Sequence, residues 1–267
     1  MNDVEKSVRE FYDNFGWQKS AEDAKAGEDI LFRQFTYHYY PYHELVNLRT
    51  MECFSGHTGN LLIAGAGDLP ETHCEIAQRF ASSCCLDISK HSLLICSQKL
   101  GRKSNYILGS ALNIPVANDV FDAVYCAHMI YHIEKDLQSK AIRELLRVMR
   151  PADRAVIIYR NPHALPERIV RIKPRLFRLG HRQDEQVTDV PPLYFHVHPL
   201  NWWDQFRDAS HISLPWDIMS AERERSLFIS GNRARWVYRI CAWYEKHYPK
   251  TAARLWSYVI IVLDKRQ

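Results

Sequence analysis

The feature that most constrains this chain is a glycine turn between two apolar runs. Leu61-Leu62-Ile63-Ala64 leads into Gly65-Ala66-Gly67, and a second run closes at Leu86-Asp87-Ile88. Four apolar residues stopped by glycines are too short for a helix and read as a buried strand. Glu71 to Ala81 reads as a helix, and Ser83 to Ile88 as the next strand. Strand, tight turn, helix, strand implies that the two strands run parallel. Glycine suits such a turn because a side chain there would clash with a ligand lying against the backbone. The following helix offers that ligand unpaired N–H groups and the positive end of its dipole. Asp87 lies twenty residues beyond Gly67, where a carboxylate can accept both hydroxyls of a ribose.

The rest of the chain continues the alternation. Val4, Val8, Phe11, Tyr12 and Phe15 recur at helical spacing, so residues 3–15 read as an amphipathic helix ending at Gly16. Ser20 to Asp29 is polar, and Phe32 to Tyr42 is rich in aromatic residues that suit a packed cluster. Glu44 to Phe54 reads as a helix. Ser89 is a plausible N-cap for a helix over Leu93–Leu100 that stops at Gly101. Strands are expected at Tyr106–Leu108, Phe121–Ala127 and Ala155–Tyr159, with a helix from Asp136 to Met149 stopped by Pro151. Further on, Leu200–Phe206 and Arg235–His247 read as helices, and Ile212–Leu214 and Trp256–Leu263 as strands. Strands alternating with helices mean a mostly parallel sheet.

Several stretches resemble the class I S-adenosylmethionine-dependent methyltransferases. The turn Gly65-Ala66-Gly67, with Pro70 where a dinucleotide fingerprint would place its third glycine, looks like that family's motif I. Gly109-Ser110-Ala111 followed by Asn113-Ile114-Pro115 looks like "G-D-A-x-x-L-P". Phe121-Asp122-Ala123-Val124 looks like "F-D-x-V", and Met129-Ile130-Tyr131-His132-Ile133 like "V-L-H-H-I". Arg143 to Pro151 resembles "E-x-x-R-V-L-K-P-G-G", with Ala152-Asp153 where two glycines are usual. The matches keep the family's order over 61–159. The resemblance implies a Rossmann-like α/β fold: a seven-stranded, mostly parallel sheet with helices on both faces and its last strand antiparallel. It implies one domain over 1–267, with an N-terminal helical cap (1–55), a cofactor core (56–160), an inserted lid (161–198) and a C-terminal part of the core (199–267). It implies S-adenosyl-L-methionine as cofactor, S-adenosyl-L-homocysteine as its product, and methyl transfer to O, N or C of a small molecule. The cofactor-binding residues it points to are Ala64, Gly65, Ala66, Gly67, Asp87, Ile88, Ser110, Ala111 and Cys126. The alternatives are a cofactor-binding protein without transfer activity and a nicotinamide-dependent oxidoreductase.

There are departures. Ile63 replaces the acid that usually precedes the first glycine, Leu69 replaces the third glycine, and Ser110 replaces the aspartate that reads the adenine amino group. A base is needed only if the acceptor loses a proton as it attacks. The candidates are His132 and His128, just after the fourth strand, since histidine titrates near neutrality. Residues 167–182 carry six basic side chains among apolar ones. They read as a solvated face, a clamp for a carboxylate or phosphate, or a contact for an anionic membrane. His196-Val197-His198 finds no third ligand at suitable spacing, so no metal is expected, and a strand facing the substrate is the alternative to plain packing.

Length and composition set the remaining bounds. The 267 residues can bury a large core. Lysine and arginine exceed acids by only 35 to 31, so a nucleic-acid partner is not expected. Seven cysteines without a C-x-x-C suggest a reduced, cytoplasmic setting. No run reaches the roughly 18 apolar residues of a spanning helix, and no membrane partner is expected. The expected partner is a small-molecule substrate, aromatic or acidic, and the chain is expected to be a monomer or homodimer.

Overall fold

The computed structural model describes residues 1–17, 35–176, 192–227 and 231–267, with the backbone alone for 172–176 and 231. The polar stretch Ser20–Asp29, Phe32, Arg178, Arg182 and Pro191 lie outside these residues, as do the side chains of Lys173 and Arg175.

The chain opens with α1 (Asp3–Phe11), prolonged by a π turn over Tyr12–Gly16, and then a 3-10 turn, Tyr37–Tyr39, leads into α2 (Tyr40–Glu52). The alternating part follows as β1 (Asn60–Ala64), α3 (Glu71–Gln78), β2 (Ser82–Asp87), α4 (Lys90–Leu100), β3 (Ser104–Leu108) and β4 (Phe121–Ala127). It continues through α5 (Gln138–Val148), β5 (Met149–Arg160) and α6 (Leu165–Leu176). The chain ends with β6 (Ala209–Asp217), α7 (Ala221–Ser226), α8 (Gly231–His247), α9 (Pro249–Leu255) and β7 (Tyr258–Lys265).

The seven strands form one sheet in the order β3-β2-β1-β4-β5-β7-β6. Pairs among β1 to β5 are parallel, and β7 runs antiparallel between β5 and β6. The expected seven-stranded sheet with its antiparallel last strand is therefore present. A doubly wound dinucleotide fold has the order 3-2-1-4-5-6 with no such insertion.

Successive residues of a strand face opposite ways, so apolar runs feed two cores. Leu62 and Ala64 join Val124, Ile157, Ile261 and α5 (Ile142, Leu145, Leu146) on one face. Leu61 and Ile63 join Tyr125, Val156, Ile260, α3 (Ile76, Ala77) and α4 (Leu93, Cys96) on the other. A third cluster packs Tyr39, Tyr42 and Val46 against Ile218, Met219, Tyr238, Cys241 and Trp256. It ties the N-terminal segment to the C-terminal third.

Local chemistry moves several boundaries. Ser89 caps α4 as expected, its hydroxyl accepting from the Ser92 N–H at 3.1 Å. Helix α2 begins at Tyr40 rather than Glu44, with Pro41 in its first turn, where no N–H partner is required. The chain passes straight from α5 into β5 at Met149, so Pro151 lies within the strand rather than ending the helix, and Ala152 adopts φ 67° where a glycine is usual. Leu200–Gln205 is a 3-10 helix, and two further short helices are α7, capped by Ser220, and α9, with Pro249 in its first turn. His196-Val197-His198 is extended but joins no strand. Its N–H groups at 196 and 198 donate to the Tyr131 carbonyl and the Tyr159 hydroxyl at 2.8 Å each, and the His198 ring stacks on Trp202.

Ile157 is fully buried and pairs with Cys126 on one side and Ile261 on the other. Ile157→Ala should cost about 2–5 kcal/mol through lost burial and the cavity left behind, read as a lower midpoint in chemical denaturation.

Candidate active site at the strand ends

The carboxyl ends of the parallel strands open into one cavity of about 740 Å³. It sits where the strand order reverses between β1 and β4, the place where open α/β sheets take ligands. One end is formed by Gly65, Ala66 and Gly67 after β1, Asp87 at the end of β2 with Ile88 after it, and Ala111 after β3. The other end takes His128, Met129, Tyr131 and His132 after β4, Arg160 from β5, Trp216 and Asp217 from β6, and Tyr258 from β7. Val8, Tyr12 and Trp17 from the first helical segment and Tyr39, His43, Asn47 and Thr50 from the second complete the enclosure. Ala64, Ser110 and Cys126 stand behind the wall rather than on it.

The glycines of the turn have a reason within the protein itself, beside the one expected from a ligand lying against the backbone. Gly65 and Gly67 both have positive φ (68° and 56°). A Cβ on Gly65 would lie 2.7 Å from the Met129 side chain, and one on Gly67 would lie 3.0 Å from the Trp17 ring. Leu69 keeps the left-handed backbone at φ 51° although it is not glycine, and its side chain is fully buried.

Asp87 accepts hydrogen bonds from the Gly67 N–H at 3.0 Å and the Ser89 N–H at 2.8 Å. Burial raises its pKa to about 6 despite those donors, and Asp13 nearby adds to the rise. A carboxylate also stands at Ser110, although the sequence lacks one there. The Ser110 hydroxyl donates to Glu5, which is buried on the cavity wall. Glu5 is held by a capping box, accepting from the Asn2 N–H at 3.2 Å while the Asn2 side chain accepts from the Glu5 N–H at 2.7 Å.

His132 donates from Nδ1 to the Tyr194 carbonyl at 2.8 Å, and burial lowers its pKa to about 4, so it is neutral at pH 7. His128 pairs its Nδ1 with the Tyr131 hydroxyl at 2.8 Å and sits in the left-handed region at φ 59°. Arg160 bonds Glu167 at 2.9 Å and lies over the rings of Phe195 and Tyr258. Arg168 and Arg171 are exposed and off the cavity wall.

Sequence reasoning missed a third histidine. His43 Nδ1 lies 2.7 Å from the Tyr39 hydroxyl, which donates to the buried Asp217. Tyr39 has one proton. While Asp217 is ionised and receives it, His43 must donate from Nδ1, leaving Nε2 as the ring's accepting nitrogen. Only the packed cluster joins these three residues, so no local sequence signal could have shown it.

Residues 64–157 match the family model described as "Methyltransferase domain". The fold is that of the class I S-adenosylmethionine-dependent methyltransferases. No curated protein sequence matches the chain. Among solved structures it is similar to a geranyl diphosphate C-methyltransferase from Streptomyces coelicolor A3(2), at TM-score 0.58 and 11% identity, covering 99% of this chain and 98% of that one. It is similar to the N-methyltransferase NodS from Bradyrhizobium japonicum in complex with S-adenosyl-L-homocysteine, at TM-score 0.56 and 12% identity over 100% of both chains. The [4+2]-cyclase SpnF also resembles it, at TM-score 0.52 and 17% identity over 84% of this chain and 80% of that one. On this methyltransferase fold, the glycine turn and Asp87 occupy the motif I end of the cavity.

Burial, with Glu245 and Glu224 nearby, raises the Asp217 pKa to about 7. A carboxyl group whose pKa rises on folding stabilises the protein at low pH, and that stability is lost as pH climbs through the folded value. Thermal unfolding should therefore show wild type losing on the order of 3 kcal/mol relative to Asp217→Asn between pH 4 and pH 8. Parallel stability curves for the two proteins would refute the shift. Gly67→Ala should cost about 1 kcal/mol or more at its positive φ, checked by the same measurement.

Proposed function

We propose that this methyltransferase transfers a methyl group from S-adenosylmethionine to an oxygen or nitrogen of a small aromatic acceptor. One observation carries the reading: a single cavity joins the glycine turn and Asp87 to an aromatic wall. Gly65, Ala66, Gly67, Asp87, Ile88 and Ala111 would hold the cofactor, with Ala64, Ser110 and Cys126 supporting them from behind. The donor set fits. Asp87 retains lone pairs for ribose hydroxyls, Glu5 offers a carboxylate beside Ser110, and the acids Glu5, Asp68 and Asp87 suit a cationic molecule. The bound cofactor supplies an electrophilic methyl carbon on a positively charged sulfur.

The chain's own residues position the acceptor and exclude water. Tyr131, Phe195, Trp216 and Tyr258 form a flat-sided pocket for an aromatic ring, and Arg160 on the same wall offers a partner to an acidic substituent. His43, whose tautomer is set through Tyr39 by Asp217, accepts the acceptor's proton at Nε2. His132 orients the acceptor rather than taking a proton, because so acidic an imidazolium holds a proton poorly at neutral pH. His128 stands beside it on the same wall. The domain runs over the whole chain, with the N-terminal helices as cap; of the lid expected over 161–198, the described residues Leu193 and Phe195 line the cavity.

A second reading rests on Trp17. Its ring lies over Gly67, which suits a protein that keeps the cofactor without transferring its methyl group. Mass spectrometry of whatever small molecule copurifies separates the readings: a methylated acceptor supports transfer, and S-adenosylmethionine or S-adenosylhomocysteine with no methylated acceptor supports retention.

Calorimetry should show binding of S-adenosylmethionine and its demethylated product, and none of NADH. Asp87→Ala should weaken that binding by about 2 kcal/mol, the scale of hydrogen bonds to a charged group. Glu5→Gln, which preserves the capping box, should also weaken it. NADH binding without binding of the sulfonium would refute the proposal.

A further inference from the structure

Helix α8 is apolar on two opposite faces. Ala234, Tyr238 and Cys241 point into the third cluster and are buried, with Glu245 buried on the same side. Offset by two residues at the same helical spacing, Trp236, Ile240 and Trp243 point away from the protein, exposed by 55%, 62% and 55%. A surface helix ordinarily carries polar residues on that side. Here the exposed helix positions around them are Asn232, Arg233, Arg235, Arg239, Lys246 and His247, and no exposed acid occurs among residues 232–250. Arg235 and Arg239 lie over the Trp236 ring, at 6.0 and 5.2 Å.

We propose that the outer face of α8 is a docking surface for an anionic lipid membrane. Tryptophan rings settle at the level of lipid headgroups, with their apolar body in the acyl boundary. Arginine and lysine beside them reach back to phosphates while their stems cover apolar surface. An amphipathic helix with Trp on one stripe and Arg and Lys along its edges lies flat in that interface. No helix among the described residues is long and apolar enough to cross a membrane, so the contact is peripheral. A second copy of the chain is a poorer occupant. A two-fold contact through this face would bring Arg235 and Arg239 near their own copies, with no exposed acid on residues 232–250 to meet them. The surface lies outside the cavity, and this docking does not depend on methyl transfer.

The test is cosedimentation of the full chain with phosphatidylcholine vesicles, with and without phosphatidylserine. Binding is expected only with the anionic lipid and should weaken as salt rises, because screening shortens the reach of surface charges. Trp236→Ser with Trp243→Ser should lower binding at least tenfold, as should Arg235→Glu with Arg239→Glu. The charge-matched control Arg102→Glu with Lys103→Glu, exposed elsewhere, should lower it less than threefold. All these positions are exposed, so unfolding midpoints should match wild type, and Trp236→Ser alone gives the same reading if a pair fails to fold. Failure to bind anionic vesicles, equal binding to neutral ones, or an equal loss in the control would each overturn the proposal. So would light scattering that shows a dimer dissociated by the tryptophan changes.

Discussion

Three carboxylates buried between the N-terminal segment and the C-terminal third hold the cavity in shape. Asp217, Glu224 and Glu245 are each at most 3% exposed. Leaving such groups unpaired inside a protein would be strongly destabilising. Glu245 accepts from Tyr42 at 2.6 Å, Trp256 at 2.6 Å and Arg49 at 2.7 Å. Glu224 accepts from Tyr238 at 2.6 Å and from the Thr36 N–H and hydroxyl at 2.8 Å each. Asp217 accepts a hydrogen bond from the Tyr39 hydroxyl. Each of the three accepts from a donor in residues 36–49, so the N-terminal segment is fixed over the end of the cavity that Trp216, Asp217 and Tyr258 line. The same contacts place His43 on the wall.

The opposite end depends on backbone shape. Parallel strands deliver their loops to one edge, and the reversal of strand order opens a crevice between β1 and β4. The turn after β1 can lie low there because Gly65 and Gly67 take left-handed conformations. Met129 and Trp17 then fill the space that side chains at the two glycines would need. Two glycines, one methionine and one tryptophan thus set the floor, and the carboxylate of Asp87 is held beside it by two backbone N–H groups.

Arginines act on this protein according to their place rather than their number. Arg160 is drawn into the wall by Glu167 and by two rings, and Glu167 also binds Arg223 at 2.8 Å. Arg168 and Arg171 of the basic stretch face solvent. Composition treats all of these alike, and burial separates them.

The sequence by itself determined the sheet and the glycine-turn end of the cavity. Alternating apolar runs, the glycine turn, Ser89 as a helix cap and Asp87 at a strand tip are local patterns, and local patterns obey backbone sterics and hydrogen bonding. Tertiary structure alone decided the rest of the site. Glu5 reaches Ser110 across 105 residues, and Tyr39 reaches Asp217 across 178. Such pairs follow from how helices dock on an open sheet, and no spacing in the chain encodes them. His132 reads as a neutral-pH base in sequence, yet burial makes it a poor one, because the cost of burying a charge depends on everything packed around it.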